Sequence, residues 1–316
     1  MNILLPIIYS AVRPSVKTSL WLLKLMLPIS LAVQVLGYYG VIEWLAGWID
    51  PVFRYMGLPG ASAICFMTGA CSTTYAALAV MLSMHLSLRQ ATILSIMTCI
   101  CHALPMECTI VHKVGSRPVR MGIIRIIAAF FAAFYLNWAL PDLSAGFGGQ
   151  MMAEHYTTLT AALHGWCISS LKLIVMIFAI IYVLMVIQRV MDDYGLIYRL
   201  ITPLRPVMRF FGLPENSAYL WLVGNILGIS YGSAAMMALE ESGQISRSEA
   251  NDVNYHLIMN HSMLEDTMVF ASQGVPALWI LSTRILFAFL LVWVRRIYNN
   301  IKTNYATDRN TVTTLS

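Results

Sequence analysis

The sequence predicts an all-α polytopic membrane protein made of two inverted-topology repeats, each with three crossings and one re-entrant helical hairpin. The 316 residues are 59% apolar and only 11% charged, and the mean hydropathy is +0.70. Soluble domains carry about 25% charged residues, so this composition indicates a chain that lies in a bilayer. An internal duplication and a charge bias that changes sides predict the repeats and their inversion.

The duplication is clearest in a nine-residue motif. Residues 51–59 read Pro-Val-Phe-Arg-Tyr-Met-Gly-Leu-Pro, and residues 206–214 read Pro-Val-Met-Arg-Phe-Phe-Gly-Leu-Pro, 155 positions later. The correspondence continues on both sides at spacings of 155 to 159, in the pairs Lys17/Lys172, Gly69/Gly224, His102/His261, Glu107/Asp266 and Arg125/Arg284. In an apolar chain, duplicated halves are typical of secondary transporters that build a site between two repeats.

The distribution of basic residues predicts that the two copies lie upside down relative to each other. Basic residues are absent from the connections 141–157 and 271–276, whereas they cluster at 13–24, 113–125, 189–209 and 295–309. The positive-inside rule places those clusters in the cytoplasm and the two connections outside. The link before the last span is basic in repeat one and uncharged in repeat two, so the bias has changed sides. An odd number of crossings per copy is therefore required.

Each repeat nevertheless contains four hydrophobic pieces, and four crossings would leave the copies parallel. The pieces are 18–46, 60–84, 89–112 and 118–139 in repeat one, and 158–190, 215–239, 250–270 and 276–294 in repeat two. Small and polar residues interrupt the second piece of each copy, at 69–74 and 224–230. These pieces are interpreted as re-entrant hairpins of two half-helices. The alternative is a full-length span with a small-residue packing seam.

The chain is accordingly divided into five segments. They are an N-terminal cytoplasmic or interfacial segment at 1–17, repeat one at 18–140, an external linker at 141–157, repeat two at 158–295 and a cytoplasmic tail at 296–316.

Polar residues inside the third pieces mark candidate chemistry, because an ionisable group at membrane depth needs a partner or a function. Repeat one has His102 and Glu107 around Pro105, and Pro105 is predicted to break the helix between them. Repeat two has His261 and Glu265 four residues apart, which predicts a shared helical face. A solute site ringed by the two hairpin tips and the two broken helices follows from this pattern.

The fourth pieces carry one arginine each, at matched positions. Arg125 is expected to pair with Glu107, and Arg284 with Asp266, as structural braces. Both arginines lie near the end of a span, from which they are expected to snorkel toward the interface.

Four cysteines lie near the polar residues of repeat one: Cys71, Cys99, Cys101 and Cys108. Thiolate and imidazole suit soft or borderline metals. However, Cys-x-Cys-His lacks the paired ligand spacing of a structural zinc site, and repeat two has no cysteine in the corresponding stretch. We therefore expect no metal site. The metalloprotease pattern His-Glu-x-x-His and the phosphate-binding Gly-x-x-x-x-Gly-Lys are also missing, and we expect no enzyme activity.

The Gly-Leu-Pro entry to a Gly/Ser/Thr-rich hairpin, followed by Asn-His-x-x-x-Glu at 260–265, resembles the nucleoside-recognition or gate domain family. That family includes the spore maturation proteins A and B, the gate segments of the ferrous-iron transporter B and, more distantly, the concentrative nucleoside transporters. The resemblance covers roughly residues 20–295 and implies two gate domains in tandem. It implies site positions at Ser72, Thr73, Thr74, His102, Asn225, Ser230, His261 and Glu265, to which the broken helices add Glu107 and Asn260.

The predicted function is a secondary transporter or permease that moves a small polar solute, with a nucleoside-like solute among the options, by alternating access between the repeats. One alternative is a divalent metal permease of the iron-transporter kind. Another is a non-transporting scaffold or regulatory subunit of a gate-domain complex. Polar residues that line a wet cavity would favour transport, and polar residues sealed in pairwise contacts would favour the scaffold.

The expected setting is the cytoplasmic (inner) membrane of a bacterium, with six crossings and both termini in the cytoplasm. The expected partners are the lipid bilayer, the solute, and a second copy or second gate-domain protein. No nucleic acid is expected, because the basic residues flank the spans. No cofactor is expected beyond a coupling ion, H⁺ or Na⁺.

From the charge distribution we expect positions 115, 200 and 312 to face the cytoplasm and position 148 to face outside. Single cysteines at these positions, in a background without the six native cysteines, can be tested with a membrane-impermeant thiol reagent. Labelling of position 200 from outside would contradict the inversion.

Overall fold

The computed structural model describes residues 4–147 and 158–313, and these residues form helices joined by short turns. Within that part of the chain no strand occurs beyond an isolated bridge between Ser87 and Gly146. The predicted all-helical class is confirmed. Most of the linker, including position 148, lies outside the described residues.

The two repeats contain the same helices in the same order. Repeat one has α1 (Leu4–Tyr38), α2 (Val41–Arg54), α3 (Ser62–Cys71), α4 (Thr74–Leu82), α5 (Leu88–Ile100), α6 (Leu104–Lys113) and α7 (Pro118–Ala139). Repeat two has α8 (Leu159–Asp193), α9 (Leu196–Phe210), a 3₁₀ turn (Glu215–Ser217), α10 (Ala218–Leu227), α11 (Ile229–Glu241), α12 (Arg247–Asn260), α13 (Met263–Ala271) and α14 (Ala277–Thr313). Each repeat is thus a long helix, an amphipathic helix, two pairs of half-helices and a final helix.

Four helical stretches of the described residues are long and apolar enough to cross a membrane. They are Leu88–Lys113, which combines α5 and α6, Pro118–Ala139, Leu159–Met191 and Ala277–Ile301. The first helix runs without interruption from residue 4 to 38, so the predicted boundary at 17 falls inside it. The boundary at 295 likewise falls inside α14.

The interrupted second pieces are pairs of half-helices, as predicted. In repeat one the helix breaks at Ser72 and Thr73, and Thr73 caps α4 by accepting a hydrogen bond from the amide of Ala76 at 3.1 Å. In repeat two the break is at Gly228, whose φ of 91° is readily adopted only by glycine. Both breaks fall within the interruptions seen in the sequence.

The third pieces break at equivalent residues in unusual backbone conformations. Ala103 has φ 47° and Ser262, 159 positions later, has φ 52°, the left-handed region that L-residues rarely adopt. Repeat two breaks without a proline, and Pro105 lies in the first turn of α6, where its missing N–H is harmless. The helix is broken between His102 and Glu107, as predicted, and repeat two shows that such a break also forms without a proline.

Each break is hydrogen-bonded to the hairpin of its own repeat. The amide of Ala103 donates to the carbonyl of Gly69 at 3.0 Å, and the amide of Ser262 donates to the carbonyl of Gly224 at 3.1 Å. A Cβ at Gly69 would come within 2.8 Å of Thr98 Cγ2, and a Cβ at Gly224 within 2.5 Å of a Leu257 methyl. The matched glycines therefore allow the hairpin backbone to approach the broken helix.

The repeats pack against each other through their long first helices, their broken helices and their last helices. The long helices α1 and α8 lie against each other, and α5 and α7 both contact α12 and α14. The second half-helix of each hairpin also contacts the other repeat: α4 contacts α13, and α11 contacts α6. Residues 91–100 of α5 and 253–260 of α12 are all buried. Large apolar side chains cover the outer faces of the last helices, a surface suited to lipid: Val119, Ile123, Phe131, Trp138, Leu278, Leu286, Leu290 and Val294.

Replacing Gly69 by alanine is expected to destabilise the protein by about 1–3 kcal/mol, because the added methyl overlaps a buried, β-branched threonine. Gly122→Ala is the matched control in the interior of α7, where the new methyl lies 3.6 Å from Cys108 Sγ. That variant should be neutral or slightly stabilising. Thermal unfolding in detergent measures both, and equal melting temperatures would contradict the close approach.

Candidate functional site

A buried arginine spans the helix break of repeat one. Arg125 is 1% exposed, and its Nε donates to the carbonyl of Ile100 at 2.8 Å. Its Nη1 donates to Glu107 at 2.5 Å and its Nη2 to the carbonyl of His102 at 2.9 Å. Ile100 and His102 lie at the end of α5, whereas Glu107 lies in the first turn of α6. The arginine therefore satisfies carbonyls that the break leaves unpaired and binds the next half-helix through its carboxylate.

Repeat two contains the same arrangement. Arg284 is fully buried, and it donates to the carbonyls of Met259 and His261 and to Asp266 Oδ2 at 3.0 Å. Each residue is 159 positions from its counterpart. The predicted ion pairs Arg125–Glu107 and Arg284–Asp266 are both present. The prediction that the two arginines snorkel toward the membrane interface is wrong, because both guanidinium groups are buried and donate to backbone carbonyls at the helix breaks.

Two histidines and a glutamate meet where the breaks face each other. His102 Nε2 lies 3.2 Å and His261 Nε2 lies 3.0 Å from Glu107 Oε1, and the two Nε2 atoms are 3.3 Å apart. The three residues are 6%, 0% and 5% exposed in the order His102, His261 and Glu107. His102 and Glu107 belong to repeat one and His261 to repeat two, so the cluster joins the repeats. The low exposed fractions show that it is closed to solvent.

The other ring nitrogen of each histidine faces backbone carbonyls. His102 Nδ1 lies 3.2 and 3.1 Å from the carbonyl oxygens of Thr98 and Cys99. His261 Nδ1 lies 2.7 Å from the carbonyl oxygen of Leu257. A carbonyl only accepts, so each Nδ1 carries the proton that it donates.

The cluster is asymmetric because one member of the matched carboxylate pair is longer. Glu107 reaches both Arg125 and the two imidazoles, whereas Asp266, one methylene shorter, pairs with Arg284. The predicted shared face of His261 and Glu265 is wrong, because α12 ends at Asn260 and a left-handed residue separates the two side chains. His261 turns toward repeat one instead.

Glu265 also contacts repeat one. Its Oε1 accepts a hydrogen bond from the Tyr75 hydroxyl at 2.8 Å, which joins α13 to α4. A third polar contact between the repeats involves Ser116, which donates to Asn251 Oδ1 at 2.8 Å and accepts from Asn254 at 3.0 Å. Sequence reasoning missed Tyr75, Ser116 and Asn254, because a single hydroxyl or amide in a helical stretch gives no signal of a distant partner.

The predicted residues at the second hairpin lie in different environments. Asn225 is buried and donates to the carbonyl of Trp221 at 2.8 Å, while its Oδ1 has no hydrogen-bond partner among the described residues. Ser230 is exposed. Residues 228–232 read Gly-Ile-Ser-Tyr-Gly and match the serine-hydrolase nucleophile pattern. That pattern requires a strand-to-helix turn, whereas Gly228 separates two helices.

The remaining predicted residues divide between structural and unpaired groups. Thr73 is a helix cap and Thr74 is buried beside it. Ser72 Oγ is buried and unpaired among the described residues. Asn260 Oδ1 lies 3.1 Å from His256 Nδ1, and its amide nitrogen likewise lacks a partner in that part of the chain.

The cysteines do not form a ligand cluster with the histidines. Within the described part of the chain, the group that brings three candidate ligand atoms within 4.8 Å of one another consists of His102, Glu107 and His261. The four cysteines considered from the sequence are free: Cys99 and Cys101 are buried, Cys108 is half-buried and Cys71 is exposed. The sequence signal for the cluster was the matched histidine pair, because equivalent residues of two packed repeats can meet at their common interface.

A cavity of about 370 Å³ lies apart from this cluster. It is bounded by α8, α9 and the second hairpin, with Tyr198, Tyr219, Val223, Leu227 and Tyr231 among its walls. The rings of Tyr198 and Tyr219 are stacked with centroids 6.0 Å apart. None of the predicted site residues lines it, and all of its walls come from repeat two.

The sequence is similar to known proteins over much of its length. The family model described as "Gate: Nucleoside recognition" matches residues 19–117, which include the first hairpin and the broken helix with His102 and Glu107. The "Uncharacterized membrane protein YvoD" of Bacillus subtilis (strain 168) is 30% identical over 280 residues, 85% of this chain and 87% of that protein. No solved structure gives a significant match. This multi-pass membrane protein belongs to the nucleoside-recognition (gate) domain membrane protein family.

Proposed function

We propose that the protein is a secondary transporter that moves a small polar solute across the cytoplasmic membrane of a bacterium by alternating access between its repeats. One observation carries the proposal: inside an apolar helical body, polar and charged side chains of both repeats meet at the repeat interface. Burying such groups is unfavourable, so their concentration at one interface indicates a functional surface. The match to the gate family supports a role in recognition or transport.

The proposed topology has six crossings and two re-entrant hairpins. The crossings are α1, the broken pair α5–α6 and α7 in repeat one, and α8, the broken pair α12–α13 and α14 in repeat two. Four of them are the apolar stretches given above, and α1 and the pair α12–α13 are assigned by their correspondence to α8 and the pair α5–α6. The hairpins α3–α4 and α10–α11 enter and return on one side, which leaves three crossings per repeat. The swapped bias of basic residues supports an inverted arrangement with both termini in the cytoplasm.

The proposed solute site lies between the hairpin tips and the broken helices. Three of the predicted site residues on these elements have a buried polar atom without a partner among the described residues, namely Ser72 Oγ, Asn225 Oδ1 and the amide nitrogen of Asn260. An unpaired buried polar atom is costly, so a bound solute or water is expected to satisfy it. The hydrogen bond between Tyr75 and Glu265 closes the same region from both repeats and is proposed to open as the repeats move.

The cavity beside Tyr198 is not the proposed site. All of its walls belong to repeat two, so a movement of one repeat against the other would not expose it alternately to the two sides.

A scaffold remains the second candidate, and the pairwise contacts favour it. Thr73 caps a helix, Glu265 is bonded to Tyr75, and Asn225 is bonded to Trp221. A static protein would show the same closed contacts as a transporter in its occluded state. Function and stability must therefore be separated by experiment.

The variant Glu265→Gln is expected to fold with a melting temperature close to that of the wild type, because glutamine still accepts the hydrogen bond from Tyr75. It should lose solute binding and uptake by about tenfold or more, since a hydrogen bond to a charged group contributes about 1.5–3 kcal/mol. A thermal-shift screen with nucleosides, nucleobases and other small polar metabolites identifies the solute, and uptake into proteoliposomes measures transport.

Arg284→Gln is the matched control, because it removes a charge from the neighbouring brace. It leaves Asp266 buried without its partner and should lower the free energy of unfolding by about 3–5 kcal/mol, while the folded fraction still binds the solute. Equal losses of thermal stability in both variants, with binding intact, would refute the solute site and favour the scaffold.

A further inference from the structure

We propose that His102, Glu107 and His261 bind one divalent first-row transition-metal ion of the Zn²⁺ type at the interface between the repeats, with one coordination position left open. The inference goes beyond the transport proposal and does not depend on it. It contradicts the expectation from the sequence that no metal site is present.

The Nδ1 atoms of both histidines face backbone carbonyls, which leaves the Nε2 atoms for the cluster. Both Nδ1 atoms donate to backbone carbonyls, so in the neutral imidazoles each Nε2 presents a lone pair. The two Nε2 atoms and Glu107 Oε1 lie 3.0 to 3.3 Å from one another. Three acceptors at such distances repel one another unless a proton or a metal ion lies between them.

The three ligand atoms are spaced much as the ligands of a small metal ion are. Zn²⁺ binds imidazole nitrogen and carboxylate oxygen at about 2.0–2.2 Å, and tetrahedral ligands at that length are about 3.3–3.6 Å from one another. The observed edges of the triangle are 3.0, 3.2 and 3.3 Å. A small ion just above the plane of the triangle therefore satisfies all three ligands and keeps a fourth position free.

Each of the three ligand residues is held by a further hydrogen bond. Histidines that bind metals donate their other N–H to a carbonyl or carboxylate, and carboxylate ligands are themselves hydrogen-bonded. Both histidines meet this condition through Thr98, Cys99 and Leu257, and the second oxygen of Glu107 accepts from Arg125 at 2.5 Å. The ligands are thus oriented before an ion binds.

A proton on His261 Nε2 is the competing occupant of the triangle, because that nitrogen lies within hydrogen-bond distance of both Glu107 Oε1 and His102 Nε2. A divalent ion differs from a proton because it binds all three ligand atoms at once. The stoichiometry of bound ion therefore distinguishes the two.

Binding would also link the repeats. His102 and Glu107 belong to repeat one and His261 to repeat two, so a bound ion crosslinks the two broken helices at their breaks. An ion that binds the closed arrangement stabilises it relative to any state in which the repeats separate. The expected signature is therefore both stoichiometric binding and a higher melting temperature.

The test uses the full-length, tag-free protein in detergent, stripped of metal and titrated with Zn²⁺ and Co²⁺. We expect one ion per chain, a rise in melting temperature with Zn²⁺, and the intense visible absorption of four-coordinate Co²⁺. Zinc X-ray absorption of the wild type should show two imidazoles and first-shell distances of about 2.0–2.2 Å. Absence of stoichiometric binding, or a six-coordinate spectrum without imidazole, would overturn the proposal without any variant.

Variants identify the ligands. His102→Gln, His261→Gln and Glu107→Gln should each weaken binding by more than about 100-fold, because loss of an outer partner alone typically costs about 10–100-fold. His256→Gln is the matched control, since it removes another buried imidazole from α12, whose Nδ1 accepts a hydrogen bond from the Trp221 indole at 3.1 Å. Unchanged affinity in the folded His102→Gln and His261→Gln proteins, or an equal loss in His256→Gln, would overturn the assignment.

Discussion

A helix that breaks inside an apolar body leaves backbone carbonyls without partners, and in this protein an arginine satisfies them in each repeat. Arg125 and Arg284 each bond to two carbonyls at the end of one half-helix and to a carboxylate at the start of the next. The hairpin adds a further bond, from the amide of the break to a glycine carbonyl. Without these bonds the break would close into a continuous helix or admit water, and the interface of the repeats would lose its polar centre.

The duplication turns this local solution into a shared site. Equivalent breaks that face each other bring His102 and His261 into contact, with ring centroids 5.0 Å apart. The departure from symmetry is small and has a clear consequence. A glutamate at 107 reaches the facing histidine, whereas the aspartate at 266 reaches its own arginine. Because its side chain is one methylene longer, Glu107 contacts both histidines as well as Arg125, whereas Asp266 contacts Arg284.

Much of the helical framework followed from the sequence, because burial in a bilayer leaves a strong compositional signal and the duplication doubles it. The interruptions near Gly69 and Gly224 and the pairing of each arginine with its carboxylate were predictable from small residues and isolated charges. The partner of His261 was not, since spacing of four residues implies a shared face only on a continuous helix. The left-handed Ser262 ends that continuity, and serine gives no hint of it. The amphipathic helices α2 and α9 were missed. Helix α2 overlaps the end of the first hydrophobic piece, and the charges of α9 lower its average hydropathy.

The claim on which this account rests is that residues of the two repeats meet at the facing helix breaks. A double-mutant cycle between Glu107→Gln and His261→Gln, scored by the free energy of unfolding in detergent, measures that contact directly. The account predicts a coupling free energy of about 0.5–3 kcal/mol, because residues in contact within one network are not additive. Additive effects, within about 0.3–0.5 kcal/mol, would show that the two side chains do not interact and would contradict the account.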